Sequence, residues 1–199
     1  MPSSPQPVAE LLAALQAALA ALGVRWFLFG AQAAILHGVA RLSADVDVTV
    51  DLGLRPVAEL VAALSTAGFE LRTSGVDAAV DVTRVLPFVH GPSRIPLDVV
   101  LAGPGLEEQF FAGVEERVIG DVRVPVVCAE DLVAMKVLAG RPRDLDDVGA
   151  IARVRRDLDL DKVRGTLRLL ESALDRRDLV GELERVVADA RRPPPGPLA

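Results

Sequence analysis

The segment Asp45-Val46-Asp47-Val48-Thr49-Val50-Asp51 constrains the fold more than any other stretch of the chain. β-Branched residues alternate with polar ones, which is the period-two pattern of a strand. In that conformation Asp45 and Asp47 project from one face with Cα atoms about 6.8 Å apart, while Val46, Val48 and Val50 occupy the other. Aspartate is depleted from strands, so two in one short strand need a reason. Either the strand lies at an exposed edge, where acids are harmless, or the two carboxylates share cations. Carboxylates at this separation can reach two divalent ions about 3.5–4 Å apart, the spacing of two-metal phosphoryl-transfer sites.

Upstream, the apolar run Trp26 to Phe29 ends at Gly30-Ala31, and thirteen residues separate Ala31 from Asp45. A glycine turn that opens a helix presents backbone N–H groups to a phosphate. Phe29-Gly30-Ala31, the spacer and Asp45-Val46-Asp47-Val48 together resemble the nucleotidyltransferase superfamily with the DNA polymerase β-type fold. Its signature is hydrophobic-Gly-(Gly/Ser), a spacer, then Asp-hydrophobic-(Asp/Glu)-hydrophobic. Ala31 departs from that pattern: it keeps the backbone donors but lacks a hydroxyl for a phosphate oxygen. The resemblance implies transfer of a nucleoside monophosphate from an NTP such as ATP, with release of pyrophosphate. Asp45 and Asp47 would then bind Mg²⁺ (two ions, Mn²⁺ being an alternative), and Gly30 and Ala31 would cradle phosphates.

Such chemistry needs a third acid near the attacking hydroxyl, to bind the second metal and help remove a proton. Asp98, in Ile95-Pro96-Leu97-Asp98-Val99-Val100, is the candidate. A carboxylate in so apolar a strand is costly to bury unless it is paired or metal-bound; the alternative is an edge strand facing water. Asp81 is the second choice. Arg41 and Ser43 precede the acidic segment. The guanidinium of Arg41 suits phosphate, or else pairs with Asp45 or Asp47 to offset their repulsion. His37 and His90 read as structural, because two-metal chemistry requires no histidine.

A second segment runs from Ala129 to Val148. Lys136 sits within the apolar stretch Leu132 to Ala139, and Arg141-Pro142-Arg143-Asp144-Leu145-Asp146-Asp147 follows a turn at Gly140. Read singly, Lys136 is able to snorkel to solvent and Asp144 to cap a helix. Together the segment resembles the helical half of AbiEii-type nucleotidyltransferases, where Leu-x-x-x-Lys-x-x-Ala and Arg-(Lys/Arg)-Asp-x-x-Asp recur. That resemblance makes Lys136 a ligand of nucleotide phosphates and Asp147, with Asp144 as the alternative, the functional helical aspartate.

Periodicity and breakers predict helices at Pro7–Leu22, Ala31–His37, Val57–Ala67 and Leu106–Ala112. Strands are expected at Arg25–Phe29, Asp45–Asp51, Phe69–Thr73, Val82–His90, Pro96–Leu101, Arg117–Ile119 and Val122–Val127. Beyond Ala129 the pattern is helical: Asp131–Ala139, Leu145–Arg156, Asp161–Leu174 and Leu179–Ala190. The expected fold is therefore α/β (α+β): a small mixed-sheet nucleotidyltransferase core over residues 1–128, flanked by helices. A C-terminal helical part, 129–190, completes a nucleotide cleft, and a Pro-rich tail, 191–199, reads as disordered.

Composition removes other classes. The chain has 199 residues, 51% of them hydrophobic, and so can build a core. No apolar run reaches the length of about eighteen residues that spans a membrane, and the first residues lack a basic region followed by an apolar stretch and cleavage site, so membrane insertion and secretion are not expected. One cysteine, Cys128, cannot form an internal disulfide, which fits a reducing cytoplasm; its apolar neighbours point to an inert thiol. No His/Cys cluster offers a zinc site.

A net charge of −6 disfavours diffuse nucleic-acid binding. The AbiEii resemblance implies an RNA or tRNA acceptor and a cognate antitoxin. Arg153, Arg155, Arg156, Arg164, Arg168, Arg176 and Arg177 would face that RNA, although interspersed acids fit an ordinary ion-paired surface equally well. Two alternatives remain: an aminoglycoside- or lincosamide-type nucleotidyltransferase with a small-molecule acceptor, and a catalytically weak nucleotide-binding or antitoxin module.

Overall fold

The structure is a computed structural model that describes residues 7–43, 45–73, 83–103 and 105–192. Asp81 and the end of the Pro-rich tail, 193–199, lie outside the described residues. The chain divides into two compact units. The first takes the N-terminal part through Ala33 together with Leu42–Val127, and the second takes Ala34–Arg41 together with the chain from Cys128 onward. The segment 34–41 therefore belongs with the helical unit, although the sequence on both sides of it belongs with the sheet.

In the first unit, α1 (Pro7–Leu22) buries Leu11, Leu12, Leu15 and Leu19, a stripe at helical spacing, and stops at Gly23 with φ +65°. Seven strands follow: β1 (Arg25–Phe29), β2 (Val46–Asp51), β3 (Phe69–Leu71), β4 (Val85–His90), β5 (Pro96–Leu101), β6 (Val114–Ile119) and β7 (Val122–Val127). Helices α2 (Gly30–Leu36), α3 (Val57–Thr66) and α4 (Leu106–Ala112) lie between them in sequence. The strands form one mixed sheet in the order β3-β4-β5-β2-β1-β7-β6. β2 runs parallel to β5 and antiparallel to β1, and β1 runs parallel to β7.

β2 is the central strand, and β5 is also internal. The edge-strand explanation for Asp47 and Asp98 is therefore excluded. Alternation along β5 buries Leu97, Val99 and Leu101, and along β4 it buries Leu86, Phe88 and His90. Val46, Val48 and Val50 are fully buried on one face of β2. The opposite face carries Asp47, Thr49 and Asp51, beside Phe29, Phe27 and Arg25 of β1. Near the Arg25 end, Phe111 of α4 packs edge-on against Phe27 with ring centroids 4.9 Å apart. Arg25 lies over the Phe111 ring and pairs with Asp51 and Glu108.

β2 begins at Val46 rather than at Asp45, as the spacing predicted. The position on β5 that would face Asp45 is Pro96, which has no N–H to offer the ladder. β6 is longer than expected because Val114 to Glu116 pair with Pro125 to Val127. As an outer strand it carries Glu115, Glu116 and Arg117, charges that discourage pairing with another sheet.

The second unit contains α5 (Ala129–Ala139), α6 (Pro142–Val154), α7 (Leu160–Leu174) and α8 (Leu179–Arg191). α5 packs against α6, α7 and α8, and α6 packs against α8. Buried residues surround α5: Ala129, Asp131, Leu132, Val133, Ala134, Lys136 and Val137. A helix enclosed on all sides is the centre of its bundle, so its charged residues are internal. Gly140, left-handed at φ +64°, ends α5, and Pro142 opens α6 three residues earlier than predicted. Asp159 caps α7 by accepting from the backbone N–H groups of Asp161 and Lys162. Among the described residues, no helix is long and apolar enough to cross a membrane.

Candidate active site

Asp47 of β2 lies directly in register with Asp98 of β5. Residues paired across neighbouring strands share a face, with backbones about 4.8 Å apart. Two carboxylates that are distant in sequence are thereby placed side by side on the half-exposed face of the two innermost strands. Asp47 also faces Phe29 of β1, immediately before Gly30. A Cβ on Gly30 would lie 2.1 Å from Asp47 Oδ2, and the residue has φ +67°. Only glycine satisfies both conditions. The glycine of the sequence motif thus has a second task besides making a turn: it leaves room for the first carboxylate.

Asp45 precedes β2 and is exposed. Ser43 donates its hydroxyl to Asp45 Oδ1 at 2.5 Å. Gln32, in the first turn of α2 and nearly buried, donates to the Asp45 carbonyl at 3.4 Å. Ser43 therefore touches the acidic pair directly, while Gln32, a residue the sequence reading passed over, steadies its backbone. A polar residue in the first turn of a helix that opens from the glycine turn is the signal that was available. Asp98 Oδ1 accepts from Arg72 Nη2 at 2.7 Å. Arg72 was also missed, because it follows β3 with no local pattern to single it out.

Among the described residues, no three His, Cys, Asp or Glu side chains form a ready-made ligand group. The donor set still fits magnesium, which is commonly bound by one or two carboxylates plus substrate phosphates rather than by an all-protein cage. The space that Gly30 leaves beside Asp47, and the Asp47–Asp98 register, are the features that meet this requirement.

The other motif forms a network within the second unit. Lys136 Nζ donates to Asp147 Oδ2 at 2.7 Å and to Asp144 Oδ1 at 3.2 Å. Arg41 Nη1 reaches the same Asp147 oxygen at 2.6 Å, and Arg141 Nε reaches Asp144 Oδ2 at 2.5 Å. Lys136, Asp144 and Asp147 are about 5% exposed. Burial opposes ionisation of Asp144, but the Arg141 hydrogen bond and the Lys136 charge outweigh it and hold the carboxyl below its ordinary range.

The structure corrects three expectations here. Lys136 does not snorkel; its ammonium is buried and engaged by two carboxylates. Asp144 does not cap α6; it binds Lys136 and Arg141. Arg41 pairs with Asp147 rather than with Asp45 or Asp47. The reason is common to all three: α5 is enclosed, and a buried ammonium requires close counter-charges.

Lys162 plays a similar part nearby, with Nζ 3.2 Å from Asp131 Oδ2 and 3.1 Å from Cys128 Sγ. Asp131 is fully buried. Burial pushes the Cys128 thiol up to about 11, in keeping with an inert cysteine. His37, just past α2, is buried. His90 is buried too; its Nδ1 lies 2.7 Å from Ser93 Oγ, and burial lowers its pKa. Of the arginines expected to face RNA, Arg155, Arg164 and Arg176 are engaged in ion pairs with Asp157, Asp161 and Glu184, and Asp178.

The fold is similar to that of an antigenic nucleotidyltransferase-like protein from Paracoccidioides brasiliensis (TM-score 0.55, 18% identity, 88% of this chain and 91% of that one). It is also similar to the antibiotic-resistance factor ANT(2'')-Ia (TM-score 0.50, 18% identity, 91% of this chain and 89% of that one). A structure of ANT(2'')-Ia with adenylyl-2''-tobramycin matches with the same score and identity, over 91% of this chain and 95% of that one. At this identity the likeness concerns the fold. No curated protein sequence matches the chain. The family model of the nucleotidyl transferase AbiEii toxin, of type IV toxin–antitoxin systems, matches residues 11–196, and the chain belongs to this family of nucleotidyltransferases.

Proposed function

We propose that the protein moves a nucleoside monophosphate from an NTP, ATP among them, to an acceptor hydroxyl on RNA, with the tRNA acceptor end as the leading case. Asp45, Asp47 and Asp98 are the residues proposed to hold Mg²⁺. The observation that carries this reading is the in-register placement of Asp47 and Asp98 beside a turn that admits only glycine. When bound there, the ions would neutralise triphosphate charge and lower the pKa of the acceptor hydroxyl. The chain's own contribution is placement. Gly30 sets the position of Asp47, and Ser43 and Gln32 set that of Asp45. Asp98 stands ready to accept a proton from the hydroxyl. Gly30 and Ala31 contribute backbone donors to phosphate.

Arg41 spends one of its five N–H donors on Asp147, and the others suit a phosphate oxygen. Lys136 and Asp147 brace Arg41 within the helical unit. The RNA acceptor, the cytoplasmic location and a cognate antitoxin rest on the family's place in type IV toxin–antitoxin systems. The ion-paired Arg155, Arg164 and Arg176 lend the RNA acceptor no additional support.

The test combines the protein with Mg²⁺, each α-labelled NTP and total RNA, with Asp47→Asn as the control. RNA should become labelled, and the substitution should abolish the label. Label on an added aminoglycoside but not on RNA would replace the acceptor with a small molecule. Absence of NTP binding at millimolar concentration would leave a binding or antitoxin module. Growth arrest on expression, relieved by the product of an adjacent gene, tests the toxin–antitoxin assignment.

A further inference from the structure

Arg72 is held at three points. Its backbone N–H donates to the Pro87 carbonyl at 2.8 Å, its Nε donates to the Phe88 carbonyl at 2.9 Å, and its Nη2 reaches Asp98 Oδ1 at 2.7 Å. The first two contacts anchor the guanidinium to β4, the strand on the far side of β5 from β2. Asp98 thus has a fixed cation on its β4 side and a second carboxylate, Asp47, in register on its β2 side. Like charges directly opposite each other in a sheet repel, and the guanidinium offsets that repulsion.

We propose that Arg72 is a built-in placeholder at the metal site. Its guanidinium holds Asp98 toward β4 until a divalent cation draws the carboxylate toward Asp47. The exchange is inexpensive because both members are part-exposed, the side chains of Arg72 and Asp98 being 42% and 36% accessible, and ion pairs of that kind are weak. The moving part is the short Asp98 side chain, since Nε keeps Arg72 on β4. Divalent-ion binding therefore competes with one internal ion pair, and Arg72 tunes the concentration at which the site fills. The inference deepens the proposed function and rests on its assignment of Asp47 and Asp98 as metal ligands.

Mn²⁺ binding, followed by the electron paramagnetic resonance of the free ion, tests it without recourse to turnover. Titrations use Mn²⁺ alone and Mn²⁺ with a non-hydrolysable NTP analogue, on protein whose fold is checked by thermal melting. Arg72→Gln should bind Mn²⁺ about two- to fivefold more tightly than the unaltered protein, the range expected for loss of an exposed ion pair. The gain should vanish when Arg72→Gln is made in an Asp98→Asn background, because the placeholder acts only through Asp98. An equal gain in both backgrounds would reduce Arg72 to a general surface charge and overturn the proposal. Unchanged or weaker binding by Arg72→Gln, with the unaltered protein binding normally, would overturn it as well and make Arg72 a support for Asp98. Failure of the unaltered protein to bind Mn²⁺ even with the analogue would remove the metal-site reading itself.

Discussion

Aspartates of the first and second units have opposite lives. On the sheet, Asp45 is exposed, while Asp47 and Asp98 are half-buried; Asp45 accepts from a hydroxyl and Asp98 from a part-exposed guanidinium. In the helical unit, Asp131, Asp144 and Asp147 are almost fully buried and bound to lysine or arginine ammonium and guanidinium groups at hydrogen-bond distance. A carboxylate compensated weakly and within reach of solvent can exchange its partner for a metal ion. One compensated deep inside a bundle cannot do so without stranding a buried charge. In the proposed function the same residue type serves chemistry in one unit and cohesion in the other, and burial rather than motif membership separates the two roles.

Lys136→Met should break this contrast most visibly. It leaves Asp144 and Asp147 buried with less compensation, at a cost of about 3–5 kcal/mol in a urea unfolding experiment. Asp47→Asn should leave the urea midpoint nearly unchanged and reduce nucleotidyl transfer by a factor on the order of 10²–10³, as loss of an electrostatic stabiliser does. If Asp47→Asn proved as destabilising as Lys136→Met, the division between chemical and cohesive aspartates would fail. Gly30→Ala tests the junction of fold and chemistry. Left-handed backbone alone should cost about 1–2 kcal/mol, and the clash with Asp47 should lower turnover further while the protein stays folded.

Acid should distinguish the units more gently. The Asp144 carboxyl lies below its ordinary value of 3.8 in the folded protein. Its contribution to stability is therefore complete above that value and is lost as pH falls through the folded value. Arg141→Ala removes the hydrogen bond that helps depress it, so the acid limb of the unfolding midpoint should move to higher pH. The smallest effect concerns Cys128, whose thiol is pushed up to about 11. It should react with a thiol reagent at pH 8 far more slowly in native protein than in urea, and equal rates would show that the α5–α7 contact opens freely.

Much of the architecture was legible because local signals agreed with one another. α1, β1, β5, α4 and β7 occupy the predicted spans, where apolar period, glycine stops and β-branched runs coincide. Boundaries drifted where a long-range partner decides them: β6 extends because β7 offers three more ladder positions, and Asp45 leaves the strand because Pro96 offers none. In the site, the motif residues Gly30, Asp47 and Asp98 could be picked out by composition and spacing, whereas Gln32 and Arg72 could not. These two act across a turn and across strands, and nothing in their immediate neighbours marks them.

The chain by itself determined the element types, the acidic strand and the mixed α/β order, because side-chain period and backbone restrictions are local properties. Tertiary structure decided which strands are central, which carboxylates stand in register and which charges are sealed. Asp47 and Asp98, far apart in sequence, meet only because β2 and β5 pair in parallel. Lys136 became a tie between aspartates rather than an open ammonium because α5 is surrounded, and an enclosed charge must take the counter-charges that packing brings to it.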